Sequence, residues 1–319
     1  MKELDYDQTG FRQDQPTVIA LGNFDGVHRG HQKLLVTAKE IAKKRGLCPS
    51  VLLFKNHTSS LFDAKTKRYL MQVEDKTRRL HAFGIETIFL CTFNAAFAAQ
   101  KKEVFIRDIL YRDFQVRHVV VGKDYRFGAH AAGSVADLLA AEQEGFFRVS
   151  VVDDVCYEGA RISSTRIREA IKQGEVDRAN AMLGFPYTIS GKVVHGKRRG
   201  HGLGFATANL GISFPYLIPH EGVYLTEGIL HGESHFGMTS VGTNPTFQDG
   251  TEIRIETHFF DFTENIYDMP MALSFLRFAR KNIRFSDPLQ LTKQMQQDEA
   301  LLRSWAKEWQ DALPATVSE

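Results

Sequence analysis

Gly22-Asn23-Phe24-Asp25-Gly26-Val27-His28-Arg29-Gly30-His31 is the stretch on which the fold of this chain turns. The apolar run before it, Val18 to Leu21, reads as a short buried strand. The segment after it, from about Gln32 to Arg45 and stopped by Gly46, reads as a helix. A strand, a glycine-punctuated turn and a helix start, in that order, make a phosphate site. The first-turn amides have no intrahelical partner, and the helix dipole favours negative charge there. His28 and His31 add imidazole donors for phosphate oxygens, and Gly30 lets a phosphate approach the backbone closely. Glycine and histidine are ordinary loop residues too; the placement between strand and helix is what lifts this tetrad above chance.

Outward from this stretch, strand-like runs at Val18–Leu21, Val51–Phe54, Thr87–Leu90, His118–Val121 and Val149–Val152 alternate with helical patterns. The helices are expected at Asp75–Phe83 before Gly84, at Lys101–Arg112, and at Ser134–Glu144 before Gly145. Strands apolar throughout and separated by helices predict an α/β fold, a doubly wound parallel sheet covered on both faces. Ligands of such sheets bind beyond the carboxyl ends of the strands. Four loops, Gly22–His31, Lys55–His57, Gly122–Gly128 and Asp153–Arg168, are then expected to converge on one crevice.

At Leu183-Gly184-Phe185-Pro186 the pattern changes, and the expected boundary separates residues 1–184 from 185–319. Thr188–His195, Gly222–Leu230, His235–Val241, Glu252–Phe262 and Met271–Arg280 alternate as antiparallel strands without intervening helices. They predict a small antiparallel β-barrel followed by a C-terminal helix from about Asp287 to Ala312. That helix carries Leu289, Met295, Leu302, Trp305 and Trp309, a stripe read as core docking rather than a ligand box. No internal repeat or low-complexity tract interrupts either part.

Composition excludes several classes. At 319 residues the chain has room for about two domains. It is 43% hydrophobic and 24% charged, with a net charge of +2 and a mean hydropathy of −0.25. That balance is too mild to argue for a nucleic-acid groove or a membrane surface. Met1 to Gln15 is polar and acidic, without a signal-peptide core, and no apolar run approaches the ~20 residues of a spanning helix. Cys48, Cys91 and Cys156 are odd in number and widely spaced, as in reduced intracellular thiols. The expected location is the cytoplasm.

A second cluster, Arg161-Ile162-Ser163-Ser164-Thr165-Arg166-Ile167-Arg168, starts the helix running to Gln173 and Gly174. Its serines are good N-caps, which on this segment alone explains them as well as any binding role. Hydroxyls and guanidinium groups at a helix start also make an anion clamp, facing His28 and His31 across the crevice. Gly22–His31, Gly122-Lys123-Asp124-Tyr125-Arg126-Phe127-Gly128 and Ser163–Arg168 together resemble the three signatures of the FMN adenylyltransferase module. Gly191–Gly196, Gly200–Asn209, Gly242–Phe247 and Ile255–His258 resemble the riboflavin kinase that usually follows it. Nearly the whole chain is similar to the bifunctional bacterial riboflavin kinase/FMN adenylyltransferase family.

The resemblance implies a division of labour. His28 and His31 would stabilise the pentavalent phosphate during adenylyl transfer. Gly22, Asn23, Phe24, Gly30, Ser164, Thr165 and Arg168 would hold ATP, while His57, Asp124 and Phe127 would face the flavin. In the kinase, Gly196, Gly200, Gly202 and Gly204 would cradle phosphates, although a mobile hairpin tip explains them too. Thr207 and Asn209 would offer hard oxygens to Mg²⁺. Glu256 would accept the riboflavin 5′-hydroxyl proton, unless it is a plain sheet-surface glutamate. ATP is the expected co-substrate, FMN and FAD the products, and riboflavin, FMN and ATP the small-molecule partners. No nucleic acid and no membrane are expected, and a weak homo-oligomer is left open.

The chain departs from the family pattern in places. Phe54-Lys55-Asn56-His57-Thr58 replaces an acid and two prolines, and Lys55 either binds the flavin phosphate or sits in solvent. Ala206 stands where proline restrains the backbone before Thr207. Tyr267-Asp268 stands for Tyr-Gly, and Arg277–Arg280 lacks the expected acid. Three alternatives remain open: one active domain beside a binding domain, a flavin-binding regulator on a retired enzyme scaffold, and a nucleotidyltransferase with another acceptor. The last leaves the β-domain unexplained.

Overall fold

A computed structural model describes residues 1–7, 10–55, 68–195, 207–243 and 253–312. The expected His57 and the glycines Gly196, Gly200, Gly202 and Gly204 lie outside the described residues. The chain divides into two compact units, Met1–Ser164 and Thr165–Glu319.

The first unit is a six-stranded sheet: β1 (Lys2–Tyr6), β2 (Thr17–Leu21), β3 (Cys48–Phe54), β4 (Thr87–Cys91), β5 (Val116–Gly122) and β6 (Arg148–Val152). Every pair is parallel, in the order β1-β4-β3-β2-β5-β6. β2 is buried at all of its positions, as its unbroken apolar run requires. The helices α1 (Arg29–Arg45), α2 (Val73–Ala82) and α3 (Val135–Gln143) lie where periodicity places them. α1 ends at Gly46, whose φ of 64° is the left-handed cap only glycine adopts freely. α3 opens on a capping box, with the Ser134 N–H and hydroxyl both donating to Asp137 at 2.8 and 2.9 Å.

Two features differ from the sequence expectation. β1 is an added edge strand, its Lys-Glu-Leu-Asp-Tyr sequence too polar to read as one. Lys101–Arg112 is not one α-helix: an α-helical turn, Lys102–Val104, runs into a π-helix, Phe105–Asp113. Phe105, Ile106, Ile109, Leu110 and Asp113 of this helix are buried, and the Phe114 N–H reaches back five residues to the Ile109 carbonyl at 2.9 Å. Asp113 there accepts from the Tyr6 hydroxyl at 2.7 Å, which ties the added strand to the core.

The second unit starts with α4 (Ser164–Gln173, nearly all of it in this unit) and α5 (Val176–Leu183), followed by a closed six-stranded barrel. Its strands are β9 (Tyr187–Val194), β10 (Ala208–Gly211), β11 (Gly222–Leu230), β12 (Glu233–Gly242), β13 (Arg254–Phe259) and β14 (Pro270–Arg280), while a two-stranded hairpin of the first unit, β7 (Cys156–Tyr157) and β8 (Ala160–Arg161), precedes them. α5 is joined to the barrel by Asn180, which donates to the Phe275 carbonyl at 2.8 Å and accepts from the Tyr187 N–H at 2.7 Å. Inside the barrel the hydroxyls of Thr226, Thr239 and Thr257, all fully buried, form a ladder with steps of 2.6 and 2.7 Å.

α6 (Pro288–Ala312) packs Met295, Leu302, Trp305 and Trp309 on an apolar patch with Val223, Leu225 and Leu276, as the stripe predicts. Leu289 is the exception, 77% exposed in the first turn. The fold finds other partners for the two arginines that lack the expected acid: Arg277 lies 4.0 Å from the Trp305 ring centre, and Arg280 grips the buried Asp298 carboxylate.

Candidate active sites

The strand order reverses direction beside β2. The chain runs from β2 to β3 on one side and returns to β5 on the other, so the loops after β2 and β5 open at a switch point. The β2 loop is strained in a particular way. Phe24 (φ 49°) and Val27 (φ 41°) are left-handed although neither is glycine, and both are fully buried. Their burial holds the turn, the Val27 N–H bonds to the Phe24 carbonyl at 3.2 Å, and Gln32 donates to the Val27 carbonyl at 2.9 Å.

This turn delivers His28 to the N-cap of α1, where its Nδ1 accepts from the His31 N–H at 3.3 Å. The two imidazoles stack with centres 3.7 Å apart and planes 14° apart. Burial pushes His28 down to about 4, offset by a bond to its own backbone and by Asp25. His31 is lowered well below its usual value, first by burial and then by His28, Lys76 and Arg161. Both rings are therefore neutral at pH 7. With Nδ1 of His28 accepting, its proton sits on Nε2, available to an incoming anion. Nδ1 of His31 is buried without a hydrogen-bond partner among the described residues. Gly30 is needed for this packing, because a Cβ there would meet the His28 ring at 3.1 Å.

The first-unit part of the second cluster, Arg161–Ser164, arrives at the same turn. The Glu158-Gly159 turn between β7 and β8, with φ of 51° and 73°, sends Arg161 back to pair with Asp124 and Asp154. Ser164 Oγ donates to the Asp25 carbonyl at 2.9 Å. Its proton is thus committed to the loop. Thr165 is exposed and Arg168 half-buried on the opening turns of α4.

Next to the turn lies a cavity of about 750 Å³, lined by Asn23 and Phe127 and by Phe54, Phe93, Phe97, Phe105 and Tyr125. Phe127 is wedged in place: it bridges to Gly133, where any Cβ would strike its ring at 2.6 Å. Gly128 (φ 73°) then turns against the Lys102 backbone, which explains the glycine that ends this motif. Asp124, expected on the flavin side, is an exposed partner of Arg161 and is not among the lining residues. Lys55 is paired with Asp5 of the added edge strand at 2.6 Å. The sequence also missed Gln100, Phe93, Phe97 and Phe105 as cavity walls; the signal was their phenylalanine density just after β4.

In the barrel, Asn209 on β10 lies directly across from Glu256 on β13, so both project from one face. β13 alternates strictly, with Ile255, Thr257 and Phe259 buried and Glu256 and His258 half-buried. Thr207 precedes β10 and is half-buried. Among the described residues no group of three or more His, Cys, Asp or Glu side chains is arranged to hold a metal.

Comparisons with known proteins give the family. A FAD synthetase family model matches residues 11–166 and a riboflavin kinase model matches 183–306. The bifunctional riboflavin kinase/FMN adenylyltransferase of Listeria monocytogenes is 38% identical, over 92% of this chain and 94% of the relative. That of Bacillus subtilis is 34% identical, over 88% and 90%. This chain belongs to the bifunctional riboflavin kinase/FMN adenylyltransferase family. A crystal structure from Streptococcus pneumoniae, titled as a macrolide-efflux protein, shares the fold at a TM-score of 0.87 and 32% identity, covering 95% of this chain and 99% of that one. Among the described residues no helix is long and apolar enough to cross a membrane. The FAD synthetase match contains both histidines and the aromatic cavity. The riboflavin kinase match contains the whole barrel with Asn209 and Glu256.

Proposed function

We propose that the first unit transfers the adenylyl group at the His28–His31 pair, that the barrel phosphorylates riboflavin at the Asn209–Glu256 face, and that the functional boundary falls at Gly184. As a member of its family the chain converts riboflavin to FMN and FMN to FAD, using ATP in both steps. The observation that carries the assignment is the neutral, stacked imidazole pair at a helix start beside an aromatic cavity large enough for a flavin ring.

In the first unit, an oxygen of the FMN phosphate bonds to the α-phosphorus of ATP, and the bond to pyrophosphate breaks. The attacking phosphate needs no deprotonation, so the protein supplies position and charge stabilisation. Nε2–H of His28 donates to an oxygen of the transferring group, and His31 is packed behind it on Phe24 with ring centres 5.1 Å apart. Gly22, Asn23 and Gly30 shape the backbone around the nucleotide, Thr165 and Arg168 hold its phosphates, and Ser164 fixes the helix start they belong to. Phe127 and its aromatic neighbours stack the flavin.

In the barrel, Glu256 accepts the riboflavin hydroxyl proton as the γ-phosphoryl group transfers. The donors of this face are hard oxygens that suit Mg²⁺, which takes one or two protein ligands and completes its shell with phosphate and water. Thr207 and Asn209 would hold it, and it would neutralise the transferring phosphates. The protein is expected to act in the cytoplasm.

A product assay with riboflavin or FMN as substrate, resolved by chromatography, tests the division. His31→Ala is expected to lower FAD formation from supplied FMN by about 10³-fold and leave FMN formation intact. Glu256→Ala is expected to do the reverse. Equal loss of both activities in either variant would overturn the two-site assignment.

A further inference from the structure

We propose that Gln100 determines ring specificity in the first unit: its carboxamide, set in the wall of the aromatic cavity, pairs with the imide edge of the flavin. The proposal rests on the reading of that cavity as the flavin site. The phenylalanines that line it supply stacking area, and stacking alone is tolerant of ring identity. Discrimination needs a polar group at a fixed place in an otherwise apolar wall.

Gln100 has that placement. It follows a single helical turn, Ala95–Ala98, whose start is capped by the Asn94 side chain accepting from the Phe97 N–H at 2.8 Å. The Gln100 N–H bonds to the Phe97 carbonyl at 3.2 Å, and its carbonyl accepts from the Ala129 N–H at 2.6 Å. Its backbone is therefore tied to two walls of the cavity, the Phe97 turn and the Gly128–Ala131 rim. The side chain is the anomaly. Gln100 Oε1 is buried and has no hydrogen-bond partner among the described residues. A buried carbonyl without a donor is costly, and such groups recur where a ligand completes them. The other polar side chains of the wall, Asn23, Arg126 and His130, are exposed.

A carboxamide presents an acceptor beside donors. The imide edge of isoalloxazine presents the complement, an N3–H donor beside the C4 carbonyl, and rotation of the terminal amide turns both Gln100 groups toward it. The N1/N6 edge of adenine carries the same alternation, so the shared chemistry is a ring edge with one donor next to one acceptor. The family's two substrates of the first unit can then be told apart by which Michaelis constant responds.

Steady-state FAD formation by the full chain is measured with FMN, with N3-methyl-FMN and with varied ATP. The wild type is expected to use N3-methyl-FMN about 50-fold less efficiently in kcat/KM. Gln100→Met, close in volume and unable to pair, is expected to raise KM for FMN about tenfold, leave kcat within about twofold and leave KM for ATP unchanged. Its discrimination against the methylated flavin is expected to fall below about threefold. Gln100→Glu keeps an acceptor and loses the donor, and is expected to raise KM for FMN as well. Unchanged KM values and intact discrimination in both variants overturn the proposal. A rise confined to KM for ATP overturns it too, by assigning the edge to adenine. Ala98→Trp, which fills the cavity, separates this failure from failure of the underlying reading. If it raises KM for FMN while the Gln100 variants do not, only the role of Gln100 falls. If it leaves KM for FMN unchanged, the flavin lies elsewhere and both fall.

Discussion

In the first unit the two imidazoles sit one helical turn apart at a single helix start, His28 buried and His31 half-buried, and they are stacked before any substrate arrives. In the barrel, Asn209 and Glu256 come from strands far apart in sequence and meet only because β10 and β13 pair in one register. The first arrangement is local and preorganised by burial, so its tuning is carried by close neighbours in the chain. The second depends on the whole barrel closing correctly, so residues inside the barrel control it from beneath. The contrast teaches where to strike each site without touching a reacting group.

The largest expected effect is at Gly30. A methyl group there meets the His28 ring at 3.1 to 3.2 Å, and the ring is held by the N-cap bond to the His31 N–H. Gly30→Ala is expected to displace the imidazole by a few tenths of an ångström and lower FAD formation by about tenfold, because group transfer loses about 100-fold for a full ångström of misplacement. Riboflavin phosphorylation should be unaffected. A variant with full adenylyl transfer would show that the imidazole tolerates movement, and the contrast between a rigid and a register-built site would lose its first half.

A smaller effect is expected from Thr239→Val. Thr239 is fully buried at the centre of the hydroxyl ladder, and valine leaves Thr226 and Thr257 without that partner. Unfolding of the second unit should become easier by about 1–3 kcal/mol. Trp305 and Trp309, the two tryptophans of the chain, both lie in that unit, so denaturation followed by tryptophan fluorescence reads it alone. FAD formation from FMN should remain at the wild-type rate. Loss of FAD formation in this variant would mean that the two units are not energetically separable.

How much was legible follows the same contrast. The apolar runs of β2 to β5 and the glycine that stops α1 are local signals, and they place the His28–His31 turn correctly. The register of Asn209 against Glu256 leaves no local trace, because period-2 alternation fixes the face of a strand and not its partner. β1 was illegible because its pairing with β4 outweighs a polar sequence. The π-helix was invisible because Phe105, Ile106, Ile109 and Leu110 fit α periodicity as well. Gln100 reads as one more polar residue before Lys101 and Lys102 until the cavity around it is seen.

The subtlest test concerns protons. Burial pushes His28 down to about 4, and His31 is lowered in the same direction. A lowered value means that the neutral ring persists on acidification until pH falls toward 4, whereas an exposed histidine becomes cationic below about 6.5. The ring proton signals of His28, assigned by substitution and followed by NMR in the free protein, should therefore stay constant from pH 8 to 5.5. Any inflection of FAD formation near pH 6 then belongs to the second ionisation of the FMN phosphate, which lies there. Titration of His28 with a midpoint above pH 7 would put the imidazolium in the resting enzyme. Nδ1 would then carry a proton and be unable to accept from the His31 N–H, and the preorganised neutral donor that the proposed adenylyl transfer uses would not exist.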